Sequence, residues 1–165
     1  MKRIIIFLLV ISLLPIYFFN IEVKAEENLI PNASNGVLLE VSTKRIIYEK
    51  GMDEEVSIAS LTKMMGLILI FDKIEEGEIK YTDKVTASQN ASDMGGSQIW
   101  LSAGEIMTVE DLLKGIIMAS ANDGIVAMAE YIGGTEANFV KMMNDKAKEL
   151  GLKHTNFVNP TGLDE

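Results

Sequence analysis

The run Ile58-Ala59-Ser60-Leu61-Thr62-Lys63-Met64-Met65-Gly66-Leu67-Ile68-Leu69-Ile70-Phe71-Asp72-Lys73-Ile74 carries the architecture of this chain. From Ser60 onward, apolar residues fall at Leu61, Met64, Met65, Leu67, Ile68, Ile70, Phe71 and Ile74. That is too long for a strand and apolar on nearly every face, so it predicts a buried helix ending near Gly77. At its front stand Ser60 and Lys63, three residues apart and therefore on one helix face.

A serine hydroxyl is a poor nucleophile at neutral pH and needs a neighbouring base. A lysine in an apolar cleft can serve once desolvation lowers its pKa. Lys63, flanked by Met64 and Met65, meets that requirement. With Ser60 in the first helical turn, backbone N–H groups and the positive end of the helix dipole also face the reacting centre. Ser-x-x-Lys by itself equally fits a helix cap followed by a surface lysine.

Toward the carboxy terminus, residues 81–107 show no long period and contain Gly95-Gly96-Ser97 and Gly104, which reads as a structured loop region. Thr108, three residues before Asp111, opens a helix over about 109–119. Ser120-Ala121-Asn122 interrupts it, a second helix is expected from Asp123 to Ile132, and a third from Thr135 to Gly151. In the tight turn at Ser120-Ala121-Asn122 a hydroxyl and a carboxamide can face one cleft, relay a proton and orient an amide. The same residues also suit a helix stop and restart, and Ser88-Gln89-Asn90 is a rival Ser-x-Asn. The Ser120 set is preferred for its place between two apolar helices. The tail from Phe157 to Glu165 is turn-forming.

Toward the amino terminus, Val37–Val41 and Ile46–Glu49 flank Ser42-Thr43-Lys44-Arg45 and predict a β-hairpin. Lys2 and Arg3, an apolar run from Ile4 to Phe19, and Val23 and Ala25 have the order of a secretory signal cleaved after Ala25, so residues 1–25 are expected to be a signal peptide and the remainder exported. An uncleaved anchor is the competing reading, since the run approaches bilayer length. The signal holds three positive charges and one negative, and its removal takes the net charge from −9 to −11. Such an acidic chain repels a polyanion, which excludes nucleic acid as a partner.

Cysteine is absent, which excludes a thiolate nucleophile and Cys-ligated metal. His154, the single histidine, lies in a polar loop and suits a surface or turn role better than a Ser-His-Asp triad. No His and carboxylate grouping has metal-ligand spacing, so neither a metal nor a cofactor is expected.

Ser-x-x-Lys, a Ser-x-Asn element and Lys-Thr-Gly together mark class A β-lactamases and penicillin-binding proteins. Two of the three occur here. Ile58–Lys63, Gly95-Gly96-Ser97, Thr108–Gly115, Ser120–Asp123 and Asn159-Pro160-Thr161-Gly162-Leu163 extend the likeness. From about Gly36 onward the chain resembles the low-molecular-mass D-alanyl-D-alanine carboxypeptidases. The resemblance implies an α/β fold in α+β layers, of the β-lactamase/transpeptidase type. It makes Ser60 the nucleophile, Lys63 its general base, Ser120 the proton relay and Asn122 the holder of the substrate's peptide group. It implies a peptidoglycan stem peptide ending in D-Ala-D-Ala as substrate, β-lactams as covalent inhibitors, and a place in the cell envelope.

The departure is the missing Lys-Thr-Gly, which in the family lies on a strand further along. Residues 26–165 are therefore expected to be the amino-terminal part of the domain, a helical subdomain plus one hairpin of an antiparallel sheet. Membrane association would then fall to a region beyond residue 165. A β-lactamase-like hydrolase is the rival enzyme, against which Ala121 speaks because β-lactamases usually carry aspartate there. A non-catalytic envelope-binding module is the rival from another class.

Overall fold

In the computed structural model, which describes residues 28–163, the apolar runs either side of the Ser42–Lys44 turn pair as an antiparallel hairpin. Its strands are β1 (Gly36–Glu40) and β2 (Arg45–Lys50), with Leu38 opposite Tyr48 and a bulge between Leu38 and Leu39. Glu40 fastens the turn: its carboxylate accepts from the backbone N–H groups of Ser42 and Thr43 at 3.0 and 2.7 Å, and from both hydroxyls. Those donors hold its pKa well below the usual carboxylate range, at about 2. Val37, Leu38, Leu39, Ile46 and Ile47 remain exposed, so apolar side chains stand on both faces of the hairpin. It belongs to a compact unit ending at Glu54. The signal peptide expected over residues 1–25 lies outside the described residues.

The second unit begins at Glu55. It runs through a 3-10 turn (Ala59–Thr62), α1 (Lys63–Glu75), β3 (Lys84–Thr86), α2 (Gln89–Ser92), β4 (Ile106–Thr108), α3 (Val109–Ala119), α4 (Asn122–Gly133) and α5 (Glu136–Glu149). Hydroxyl caps start the helices: Thr108 Oγ1 accepts the Asp111 N–H at 3.1 Å and Thr135 Oγ1 the Asn138 N–H at 3.1 Å. Each satisfies a helix-end donor that has no intrahelical partner.

Helix α4 is the central element, with Ile125, Val126, Ala127, Met128 and Ala129 all buried. One side of it joins Ile70, Val85, Leu112 and Ile116, and the other meets Met65, Leu69, Phe139, Met143 and Phe157. Each large side chain so buried contributes roughly 1.5–3 kcal/mol. The unit's backbone is thereby firm around the first turn of α4, where Asn122 and Asp123 lie.

Three expectations need correction. Ser60 is in the 3-10 turn, not in the first turn of the α-helix, which starts at Lys63. The 3-10 turn eclipses residues three apart, so Ser60 and Lys63 still share a face. Helix α1 is also not buried all round: Leu61, Met64, Ile68 and Phe71 form an exposed stripe, because α4 and α5 pack only on the Met65, Leu69 and Ile70 side. Residues 81–107, expected as loop, contain the antiparallel pair β3–β4 and the Ser88-capped turn α2. Strands of three residues are too short to show a period.

Candidate active site

Ala59 adopts φ +46°, a left-handed backbone that costs a non-glycine residue about 1 kcal/mol or more. It delivers Ser60, exposed, at the start of the turn, while Lys63 is only 3% exposed. Lys63 Nζ donates to Ser60 Oγ at 3.1 Å and to the carbonyl of Thr161 at 2.9 Å. Burial pushes the Lys63 amine below the ordinary lysine pKa. No carboxylate forms an ion pair with it among the described residues, so nothing opposes that shift.

The Thr161 carbonyl is aimed by Asn159. Its Oδ1 accepts from the Thr161 N–H, the Thr161 hydroxyl and the Gly162 N–H at 3.2, 3.0 and 2.7 Å, and its Nδ2 donates to the Leu163 carbonyl. Gly162, at φ +76°, closes the loop onto the serine turn: a Cβ there would lie 1.9 Å from the Ala59 carbonyl oxygen and 2.8 Å from Thr62 Oγ1. Only glycine permits that approach.

Ser120 ends α3 in the left-handed region at φ 57° and is partly buried; its hydroxyl makes no hydrogen bond among the described residues. Its backbone N–H closes α3 on the Gly115 carbonyl, but its hydroxyl caps no helix, and Ala121, the residue before α4, makes no side-chain cap either. The chain does stop and restart its helix here, without the side-chain cap on α4 that the structural alternative would add. Asn122 is 3% exposed; its Nδ2 donates to the Gly95 carbonyl at 2.7 Å and its backbone N–H to the Ser97 carbonyl at 2.8 Å. Its Oδ1 is buried and has no partner among the described residues.

The structure joins Ser60 to Lys63 directly, but no hydrogen bond links that pair to Ser120 or Asn122. The connection runs through the 159–163 loop. A Cβ on Gly96 would meet Asn122 Nδ2 at 2.8 Å and Leu163 Cδ2 at 3.6 Å, so the loop contacting Lys63 also adjoins the Asn122 side.

The rival Ser88 caps α2, and Asn90 donates to Glu130 and Glu136. Both border an open depression of about 660 Å3 at the far end of α4 from Asn122, which holds none of the four candidate residues. His154 is exposed beside Glu55 at 3.3 Å, in keeping with a surface role. Among the described residues no cluster suited to a metal occurs.

Sequence reasoning missed Thr161 and Asp123. Thr161 contributes a main-chain carbonyl, which side-chain identity does not reveal. The carboxylate of Asp123 is fully engaged with backbone amides described below.

Solved structures give the class. A D-alanyl-D-alanine carboxypeptidase, DacD, from Francisella tularensis superposes with a TM-score of 0.78 at 37% identity, over 81% of this chain and 32% of that one. Penicillin binding protein 5 from Haemophilus influenzae gives 0.76 at 37% identity, over 81% and 40%. The described residues are thus part of a penicillin-binding, transpeptidase-type fold.

Within that class, the chain belongs to the D-alanyl-D-alanine carboxypeptidase family, peptidase S11, which it matches over residues 22–165. It is 48% identical to D-alanyl-D-alanine carboxypeptidase DacF of Bacillus subtilis, over all of this chain and 43% of that protein. It is 36% identical to DacC of Escherichia coli, over 78% of this chain and 34% of that protein. The chain therefore spans less than half the length of these relatives.

Proposed function

We propose that this chain carries the serine and lysine of a D-Ala-D-Ala carboxypeptidase acting on peptidoglycan stem peptides. The observation that carries the reading is the 3.1 Å approach of the buried Lys63 amine, its pKa lowered by desolvation, to the exposed Ser60 hydroxyl. With Nζ neutral, the same separation lets Ser60 donate its proton to Lys63 while Oγ attacks the carbonyl carbon between the two terminal D-alanines. The tetrahedral intermediate collapses by breaking the C–N bond. The proton passes by way of Ser120 to the departing amine, and D-alanine leaves. Water then cleaves the Ser60 ester, releasing the shortened peptide and restoring the hydroxyl. Asn122, with its carboxamide between Gly95 and the cleft, holds the substrate's peptide group.

β-Lactams acylate Ser60 as mimics of the same substrate, and the cell envelope is where substrate and enzyme meet. The solved structure of penicillin-binding protein D2 from Listeria monocytogenes, 27% identical with a TM-score of 0.72, is of an ampicillin-bound form. Among the described residues no helix is long and apolar enough to cross a membrane. Residues 1–165 contain no Lys-Thr-Gly, so the oxyanion donor that motif supplies is unassigned.

Intact-protein mass spectrometry after prolonged incubation with ampicillin tests the reading. A single covalent adduct that peptide mapping places on Ser60, and that Ser60→Ala abolishes, is expected. An adduct elsewhere, or none, overturns it.

A further inference from the structure

Asn122 and Asp123 open α4 side by side and grip the same loop with opposite polarity. Asn122 donates to the carbonyls of Gly95 and Ser97, at 2.7 and 2.8 Å. Asp123 accepts from the amides of Ile99 and Leu101: Oδ1 from Ile99 at 3.1 Å, Oδ2 from Ile99 at 3.1 Å and from Leu101 at 3.0 Å. Oδ1 also takes the Gly124 N–H at 2.8 Å. The loop is thus sewn to the helix at residues 95, 97, 99 and 101, every second position.

Trp100 is 80% exposed with φ +64°, unusual for so bulky a side chain, and this conformation brings its two flanking amides to one carboxylate. Ile99 adds an apolar anchor, its Cδ1 lying where a Cβ on Gly115 would sit at 2.9 Å and one on Gly124 at 3.8 Å. Asp123 itself is 1% exposed and forms no ion pair among the described residues. A buried carboxylate without a cation is costly, and here only backbone donors offset it.

We infer that Asp123 is a positioning residue: by holding the Ile99 and Leu101 amides it fixes the 95–101 loop, and the loop in turn holds the Asn122 carboxamide, whose oxygen it leaves unpartnered for a substrate donor. This rests on the reading of Asn122 as a substrate contact. Were the loop to drift, Nδ2 would lose the Gly95 carbonyl and the carboxamide would be free to rotate. An asparagine at 123 cannot replace the carboxylate in either orientation. With its NH2 at the Oδ2 position it faces the Leu101 and Ile99 donors; turned over, it faces those of Gly124 and Ile99.

The test uses the full chain, labelled with 15N, as wild type, Asp123→Asn and Ile99→Ala, the last loosening the loop's packing while keeping every polar contact. In wild type the Ile99 and Leu101 amides should exchange far more slowly than free peptide. In Asp123→Asn their exchange should rise about tenfold or more, with Phe139 and Met143 in α5 little changed. The Asn122 side-chain NH2 signals should shift and lose protection, and ampicillin acylation should slow at least tenfold. Ile99→Ala, at equal or greater loss of Tm, should leave the Asn122 signals in place.

Free-peptide exchange at Ile99 and Leu101 in wild type overturns the proposal, and this arm does not require the variant to fold. A freed loop with unchanged Asn122 signals and acylation also overturns it, leaving Asp123 a purely structural group. Absence of any wild-type adduct would instead sink the Ser60 reading, and the exchange and Asn122 signals would still decide the role of Asp123.

Discussion

Lys63 donates from Nζ to the main-chain carbonyl of Thr161 at 2.9 Å, across ninety-eight positions of chain. The contact is itself buried, with Thr161 only 3% exposed, and gives the amine a second partner besides Ser60. The residue that tunes the candidate base is therefore supplied by a loop far from it in the sequence.

Acylation of Ser60 by ampicillin should accelerate with rising pH as Lys63 loses its proton, with a midpoint below that of an ordinary lysine. The same shift has a stability consequence. Below the folded-state pKa the buried charge exerts its full cost, and the cost is relieved as pH climbs toward the unfolded lysine value, because the unfolded chain then holds more protons. Competitive acetylation as a function of pH reads the Lys63 pKa directly, and a midpoint at or above that of exposed lysines would contradict the assignment. Lys63→Met should flatten both the pH–rate and the pH–stability curves.

Gly162→Ala should destabilise the second unit by about 2 kcal/mol, since a side chain must occupy φ +76° and collide with the Ala59 carbonyl. Because the collision is with the serine turn, the ampicillin rate should fall as well. Thermal melts and adduct kinetics on the same sample check the two effects together.

Thr108→Ala serves as the contrasting case. Loss of the cap at α3 should cost about 1 kcal/mol while leaving the rate of adduct formation within experimental error. A large kinetic effect would mean that α3 communicates with Ser60 in a way its position does not suggest.

Much of this was legible in the residues, and what was missed was missed for physical reasons. The helix starts at Thr108 and Thr135 were visible because a hydroxyl cap followed by amphipathic spacing is a local signal. The hairpin was visible from two apolar runs about a polar turn. The pair β3–β4 was not, being held by long-range pairing of three residues a side. The half-exposed face of α1 escaped notice because apolar spacing tells which residues can be buried, not whether a neighbour comes to bury them. The approach of Lys63 to Ser60 was legible from their spacing, whereas the roles proposed for them rest on the family resemblance. Thr161 acts through its backbone and Asp123 through amides twenty-two and twenty-four residues away, and neither leaves a mark at its own position.

The hairpin should be the least protected ordered part of the chain. Two strands with exposed apolar residues on both faces are marginal alone, so amides of β1 and β2 should exchange well ahead of those in α4. Native-state exchange monitored by mass spectrometry is the measurement, and equal protection in both would refute the expectation.

Strong acid should loosen the turn of that hairpin. Glu40 is ionised down to about 2, so its grip on Ser42 and Thr43 contributes above the ordinary carboxylate range and is lost as pH falls toward that value. A 13C titration of the Glu40 carboxyl follows it, and Glu40→Gln should remove the acid dependence of the turn.

A polypeptide made from its amino end presents positions 60 and 63 to solvent long before position 161 exists. Until that later stretch is synthesised and closes over the turn, the amine stays hydrated and positively charged and the hydroxyl beside it stays inert. On the proposed reading of Ser60 and Lys63, reactivity would be withheld from the nascent chain until that closure, a safeguard written into the order of the residues.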